Sequence, residues 1–155
     1  MIKSVDFMSK AAAEKLIYTD HAALISISEP GENVYLSGKW DDILVLKFHD
    51  TDADANNGQN WSALGKPKYW VKFDESQAKE IIDFMNRIHV AEKRKDLIIH
   101  CHAGISRSAA VAKYVATQIV GVKFNHGYSL YNRHVFRTLM TVQGQIGYDE
   151  PYEYT

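Results

Sequence analysis

The feature that most constrains this chain is the apolar run Leu97-Ile98-Ile99, followed at once by the loop His100–Ser108 and a helical pattern from Ser108 to Val120. An apolar run without polar alternation marks a strand buried on both faces, as at the centre of a parallel sheet. Parallel neighbours need long crossover connections, so the rest of the chain has to supply helices. Asp74 opens the clearest of these: its carboxylate and Gln77 form a capping-box pattern, and Ala78, Ile81, Ile82, Met85 and Ile88 make one apolar stripe. Val111, Val115 and Ile119 share a face of the next helix, which Gly121 terminates, and Tyr131, Val135, Leu139 and Val142 line a last one. Upstream, Val5 and Phe7 alternate with polar neighbours as in a short strand, and Ser9 is placed to cap a helix through Ile17. Ala22–Ile27, Asn33–Leu36 and the apolar run Ile43–Phe48 read as further strands, the last of them buried. The order β-α-β-β-β-α-β-loop-α-α predicts an α/β fold: a central, mostly parallel sheet of about four to five strands flanked by helices.

Composition narrows the class. With 155 residues, 46% hydrophobic and 24% charged, the chain has material for one core, and global disorder is excluded. A net charge of −1 supplies no field to draw it onto nucleic acid or anionic lipid, so neither is expected as a partner. The single cysteine, Cys101, has no internal disulfide partner, which fits a reducing compartment. No apolar run is long enough to span a bilayer, and the start lacks the apolar stretch of a secretory signal. The expectation is a cytoplasmic protein with a single domain over residues 1–155, a polar inserted loop at 56–68 and a C-terminal tail at 147–155. Trp61 lies in that loop and Trp70 just after it, candidates for a lid or a rim.

The loop between the buried strand and the helix carries the chemistry. A strand–loop–helix junction points several main-chain N–H groups inward, and the helix end adds roughly half a positive charge. The loop residues His102, Ala103, Gly104, Ile105 and Ser106 therefore form a cradle for an anion of phosphate size, with Gly104 permitting the turn. Cys101 at its mouth is expected to be a low-pKa thiolate, open to oxidation by peroxide. Arg107 can fold its guanidinium back to grip two oxygens of the same anion. A nucleophile and a planar cation around one anion site are what phosphoryl transfer to sulfur needs.

His100-Cys101-His102-Ala103-Gly104-Ile105-Ser106-Arg107-Ser108 resembles the His-Cys-x5-Arg-Ser/Thr signature of the cysteine-dependent protein tyrosine phosphatases. Its inner residues are similar to the version carried by the dual-specificity branch. Low-molecular-weight phosphatases carry their cysteine after the first strand, and inositide phosphatases often place lysines in the loop; this chain does neither. The resemblance implies hydrolysis of phosphotyrosine in a phosphorylated protein, with phosphoserine and phosphothreonine open, through a phosphocysteine intermediate and without metal or organic cofactor. A metal site at His100, Cys101 and His102 is disfavoured independently, because adjacent residues of an extended chain point opposite ways.

The same resemblance implies roles for residues that spacing alone does not single out. Phe48-His49-Asp50-Thr51 is similar to the family segment that bears the general acid, which makes Asp50 the first choice, with Asp52 and Asp54 as alternatives. Asp50 precedes Cys101 by 51 positions (101 − 50), an interval lengthened by the 56–68 loop. Ser108 is expected to donate to the cysteine sulfur, or else to cap the helix; His100 to organise the loop; and Asn132 to brace it. Two rivals stand beside the enzyme reading. One is a phospho-binding domain without turnover; the other is a phosphatase of RNA 5′-ends or lipids, against which the neutral charge and lysine-free loop weigh.

Overall fold

Strand β6 (Lys95–Cys101) stands inside a four-stranded sheet of order β1-β6-β2-β3, between β1 (Ile2–Ser9) and β2 (Ala22–Ser28). All three pairings in this sheet, including that of β2 with β3 (Asp42–Lys47), are parallel. The computed structural model describes residues 1–52, 59–125 and 127–145. Asp54, the 56–58 end of the expected loop and the 147–155 tail lie outside the described residues. Between the strands come α1 (Lys10–Glu14), a small antiparallel pair β4 (Asp50–Asp52) and β5 (Gln59–Trp61), and α2 (Glu75–His89). After β6 follow α3 (Arg107–Tyr114), a π-helical continuation over Val115–Val120, and α4 (Arg133–Gln145). The fold is α/β, with a parallel central sheet and flanking helices, as the sequence predicts.

The local signals act where they were read. Asp74 accepts from the Gln77 N–H at 2.8 Å while the Gln77 side chain accepts from the Asp74 N–H, and the α2 stripe is buried. Ser9 accepts from the Ala12 N–H. Gly121 takes the left-handed conformation (φ +80°) that ends the helical run. β2 is buried at every residue, so both of its faces are covered.

Four expectations are corrected. Asn33–Leu36 forms no strand, because its main-chain groups are taken by side chains of α1: the Tyr35 N–H donates to Glu14 (2.7 Å) and the Asn33 carbonyl accepts from Lys10. The Ile43–Phe48 run is an edge strand rather than a buried one; Ile43 and Val45 face outward while Leu46 and Phe48 fill the core. The first helix stops at Glu14, not Ile17, closing with the Lys15 N–H on the Ala12 carbonyl. The 56–68 segment is not loop throughout, since β5 pairs with β4 and sets Asp50 opposite Trp61.

Candidate active site

The parallel sheet delivers the C-terminal ends of β1, β2 and β6 to one edge, where sites on such sheets form. There the loop after β6 is held from three sides. The Lys10 N–H donates to the His102 carbonyl (3.1 Å), the Asn132 N–H to the Ser106 carbonyl (3.0 Å), and the Tyr128 hydroxyl to the Ile105 carbonyl. Burial, and then the charge of Cys101, push the Tyr128 phenol above its ordinary value, so it remains a donor. Gly104 has φ +73°, and a Cβ there would lie 2.4 Å from the Ser9 nitrogen and 2.5 Å from the Met8 carbonyl carbon. Only glycine lets the loop pass this close to the end of β1.

Cys101 is 2% exposed, yet it lines a cavity of about 460 Å³ with Asp50, Asn60, Trp61, Ala103, Ile105, Ser106, Arg107 and Leu130. The Gly104 N–H donates to its sulfur at 3.3 Å, and the Ser108 oxygen lies 3.1 Å away. Ser108 is thus turned to the cysteine; the residue at the helix cap is Ser106. Arg107 is 1% exposed, turned inward, with Nη1 donating to the Phe48 carbonyl at 2.7 Å. Its Nε is buried and has no partner among the described residues. A guanidinium N–H buried without an acceptor costs free energy unless an anion completes it.

Asp50 reaches the cavity on β4, with both the Ser106 hydroxyl (2.9 Å) and the Asn132 amide (2.7 Å) donating to its Oδ1. Asp52 points elsewhere: its Oδ2 accepts from the Arg133 N–H at the start of α4, and it does not line the cavity. Asn132 joins three elements, since its Oδ1 also accepts from the Val135 N–H and its Nδ2 donates to the Thr51 carbonyl. His100 is fully buried. Its Nδ1 lies 3.2 Å from the Cys101 carbonyl, which only accepts, so that nitrogen carries the proton and Nε2 accepts from Ser26. Burial holds His100 below its ordinary value, hence neutral.

Two functional neighbours escape the sequence reading, Glu29 and Glu32 in the Glu29-Pro30-Gly31-Glu32 turn. Their one available signal is position, since two carboxylates follow directly on the wholly buried β2 at the sheet's C-terminal edge. The Glu32 carboxylate meets His102 Nδ1 at 2.7 Å and Lys10 Nζ at 3.1 Å. Burial alone would raise its pKa, but bonds from His102, the Glu29 N–H and Lys10 outweigh it and pull the carboxyl down to about 2. A folded-state value below the ordinary 4.5 gives stability that is complete above pH 4.5 and lost as pH falls toward 2. We expect Glu32→Gln to lower stability at pH 7 by about 2–3 kcal/mol. It should also flatten the acid limb of a melting-temperature profile between those pH values; an unchanged limb would disprove the assignment. Of the two tryptophans expected at a lid or rim, Trp61 is at the cavity, its ring 5.5 Å from that of His102, whereas Trp70 packs edge-on against His49.

Among the described residues no group of three His, Cys, Asp or Glu side chains is arranged to hold a metal ion. Nor is any described helix long and apolar enough to cross a membrane. No curated protein matches the chain. A family model does match: that of the protein-tyrosine phosphatases, over residues 41–143, from the edge strand β3 through the cysteine loop to α4. That span covers about two thirds of the chain and takes in Asp50, Cys101, Arg107 and Asn132. A strand–loop–helix junction with a cysteine and a buried arginine, set within that matched span, leaves a single conclusion: the chain belongs to the protein-tyrosine phosphatase family.

Proposed function

We propose that the protein is a catalytically active, cysteine-dependent phosphatase of the dual-specificity type, acting first on phosphotyrosine in proteins. One observation carries the reading: Arg107, which lines one cavity with the nucleophilic cysteine, holds a buried guanidinium N–H with no acceptor among the described residues. A phosphate monoester in the cradle supplies that acceptor and sets phosphorus against the sulfur.

In the first step the Cys101 sulfur attacks phosphorus in line with the ester oxygen. The P–O bond breaks, its electron pair stays on the departing oxygen, and Asp50 delivers the proton that neutralises it. In the second step water attacks the phosphocysteine, Asp50 accepts a proton from it, and the P–S bond breaks. The sulfur departs as thiolate, its charge met by the Ser108 hydroxyl and the Gly104 N–H. Arg107 and the loop N–H groups hold the equatorial oxygens throughout, where charge is greatest in both transition states. Asp50 is the acid of choice because it lines the cavity with the cysteine, whereas Asp52 is engaged at α4. Its Oδ1 is fixed by Ser106 and Asn132, which holds the carboxyl toward the cradle.

The test is a leaving-group series with wild type and Asp50→Asn, which keeps the Oδ1 acceptor. Wild type is expected to hydrolyse p-nitrophenyl phosphate and phosphotyrosyl peptides, with phosphoseryl and phosphothreonyl peptides measuring how far the specificity extends. Asp50→Asn should lose about 10²-fold in kcat on the phosphotyrosyl peptide and much less on p-nitrophenyl phosphate, whose leaving group needs little help. Equal losses on both would move the proton donor elsewhere.

A further inference from the structure

Glu29 takes no part in the chemistry above, yet it is 1% exposed and ionised. Burial raises its pKa, but hydrogen bonds from Ser62, Ala63 and Leu64, with His49 nearby, more than offset that and leave it below the ordinary carboxylate value. The Ser62 hydroxyl (2.6 Å) and the Leu64 N–H (3.0 Å) donate to Oε1, and the Ala63 N–H (2.9 Å) to Oε2. All three donors sit in the turn that leaves β5, directly after Trp61. The Glu29 N–H in turn donates to Glu32, which holds His102 of the cysteine loop. One turn therefore ties the cavity wall and the anion cradle together.

That wall is unusual for so polar a site. Trp61, Ile105 and Leu130 are large apolar side chains left exposed, and all three line the cavity that holds the cysteine and the arginine. Apolar surface around an anion cradle is covered when the group carried by the phosphate is flat and apolar. A phosphorylated aryl ring fits that description; the single methylene of a phosphoserine covers almost none of it. An indole selects between the two only if it stands still, and a carboxylate with three charge-assisted bonds is a directional means of holding it.

We propose that Glu29 is a positioning residue and Trp61 a specificity-determining residue: Glu29 pins the 62–64 turn so that the indole stands as a fixed wall favouring aryl over alkyl phosphate monoesters. The proposal rests on the phosphatase reading. Trp61→Ala is expected to lower the ratio of kcat/KM for phosphotyrosyl over phosphoseryl peptide about tenfold. Glu29→Gln, which cannot accept the same three bonds, should reproduce about a fivefold loss through KM. Its kcat should stay within about threefold, because Ser106 and Asn132 hold Asp50 independently. The double variant should be no worse than Trp61→Ala alone, since both act through one indole. Ser62→Ala, which removes one bond of three, should move the ratio in the same direction by less, and serves if Glu29→Gln fails to fold.

Acrylamide quenching of tryptophan fluorescence supplies a readout independent of turnover. It should rise in Glu29→Gln, and the rise should vanish in the Trp61→Ala background. A wild type without activity but with this quenching pattern would sink the phosphatase reading and sustain the role of Glu29 in holding Trp61. Equal losses on aryl and alkyl substrates, additive losses in the double variant, or unchanged quenching would overturn the proposal.

Discussion

Cys101→Ser is expected to lower turnover by at least about 10⁴-fold while leaving inorganic phosphate and phosphotyrosyl peptide bound within a few-fold of wild type. The asymmetry follows from what surrounds the sulfur. The Gly104 N–H donates to it at 3.3 Å and the Ser108 hydroxyl lies 3.1 Å away, a setting built around sulfur. A serine hydroxyl in the same place would need a base to remove its proton; Asp50 has to carry its own proton for the leaving oxygen, and the buried His100 has Nε2 turned to Ser26 and its protonated Nδ1 turned to a carbonyl. The serine is therefore held as a neutral hydroxyl and attacks phosphorus poorly. Binding survives because it belongs to the loop N–H groups and Arg107, which the substitution does not touch. Calorimetry with phosphate beside a p-nitrophenyl phosphate assay checks both halves. Full activity in the serine variant would refute the nucleophile, and loss of phosphate binding would show that the thiol side chain shapes the cradle.

How much of this was legible in the sequence depends on how far apart the cooperating residues lie. The cysteine loop was legible because every signal is local: an apolar strand, a glycine at a crowded turn, an arginine at a helix start. The α2 cap was legible for the same reason, since Asp74 and Gln77 face each other across one turn. Asp50 is 51 positions from the cysteine, and only the family resemblance pointed to it. Its place at the cavity depends on Asn132, which lies 82 positions from it along the chain.

Glu29 and Glu32 show where sequence reasoning ends. As a string, Glu-Pro-Gly-Glu is a turn, and its acids read as solvated. They are buried because their donors arrive from elsewhere: Leu64 from 35 positions away and His102 from 70. No local pattern encodes that a carboxylate will meet three donors after folding, although the cost of burying one unmet makes the pairing obligatory once it is buried. Ile43–Phe48 failed for a related reason. Whether an apolar strand is central or at an edge is settled by which strands flank it, and Asn33–Leu36 lost its pairing to the side chains of Glu14 and Lys10.

Arg107→Lys completes the contrast with the serine variant: it is expected to lose binding and turnover together, kcat/KM falling by about 10³-fold or more. The guanidinium does two things at once. Nη1 is spent on the Phe48 carbonyl, which ties the side chain to the end of β3, while the residue lines the cavity and its buried Nε–H has no partner among the described residues. An ammonium is a point charge and cannot both hold that carbonyl and offer a planar pair of donors to two phosphate oxygens. Moreover, the arginine site is almost wholly buried, so a lysine there must be desolvated in the empty cavity, which favours its neutral form and removes the charge that the transition state needs. Thermal melts should show a folded variant, phosphate titration should show affinity weakened at least tenfold, and steady-state kinetics should show the rate loss. A lysine variant retaining both affinity and rate would mean that charge alone suffices, and that the unpaired Nε–H of Arg107 is not what recognises the substrate.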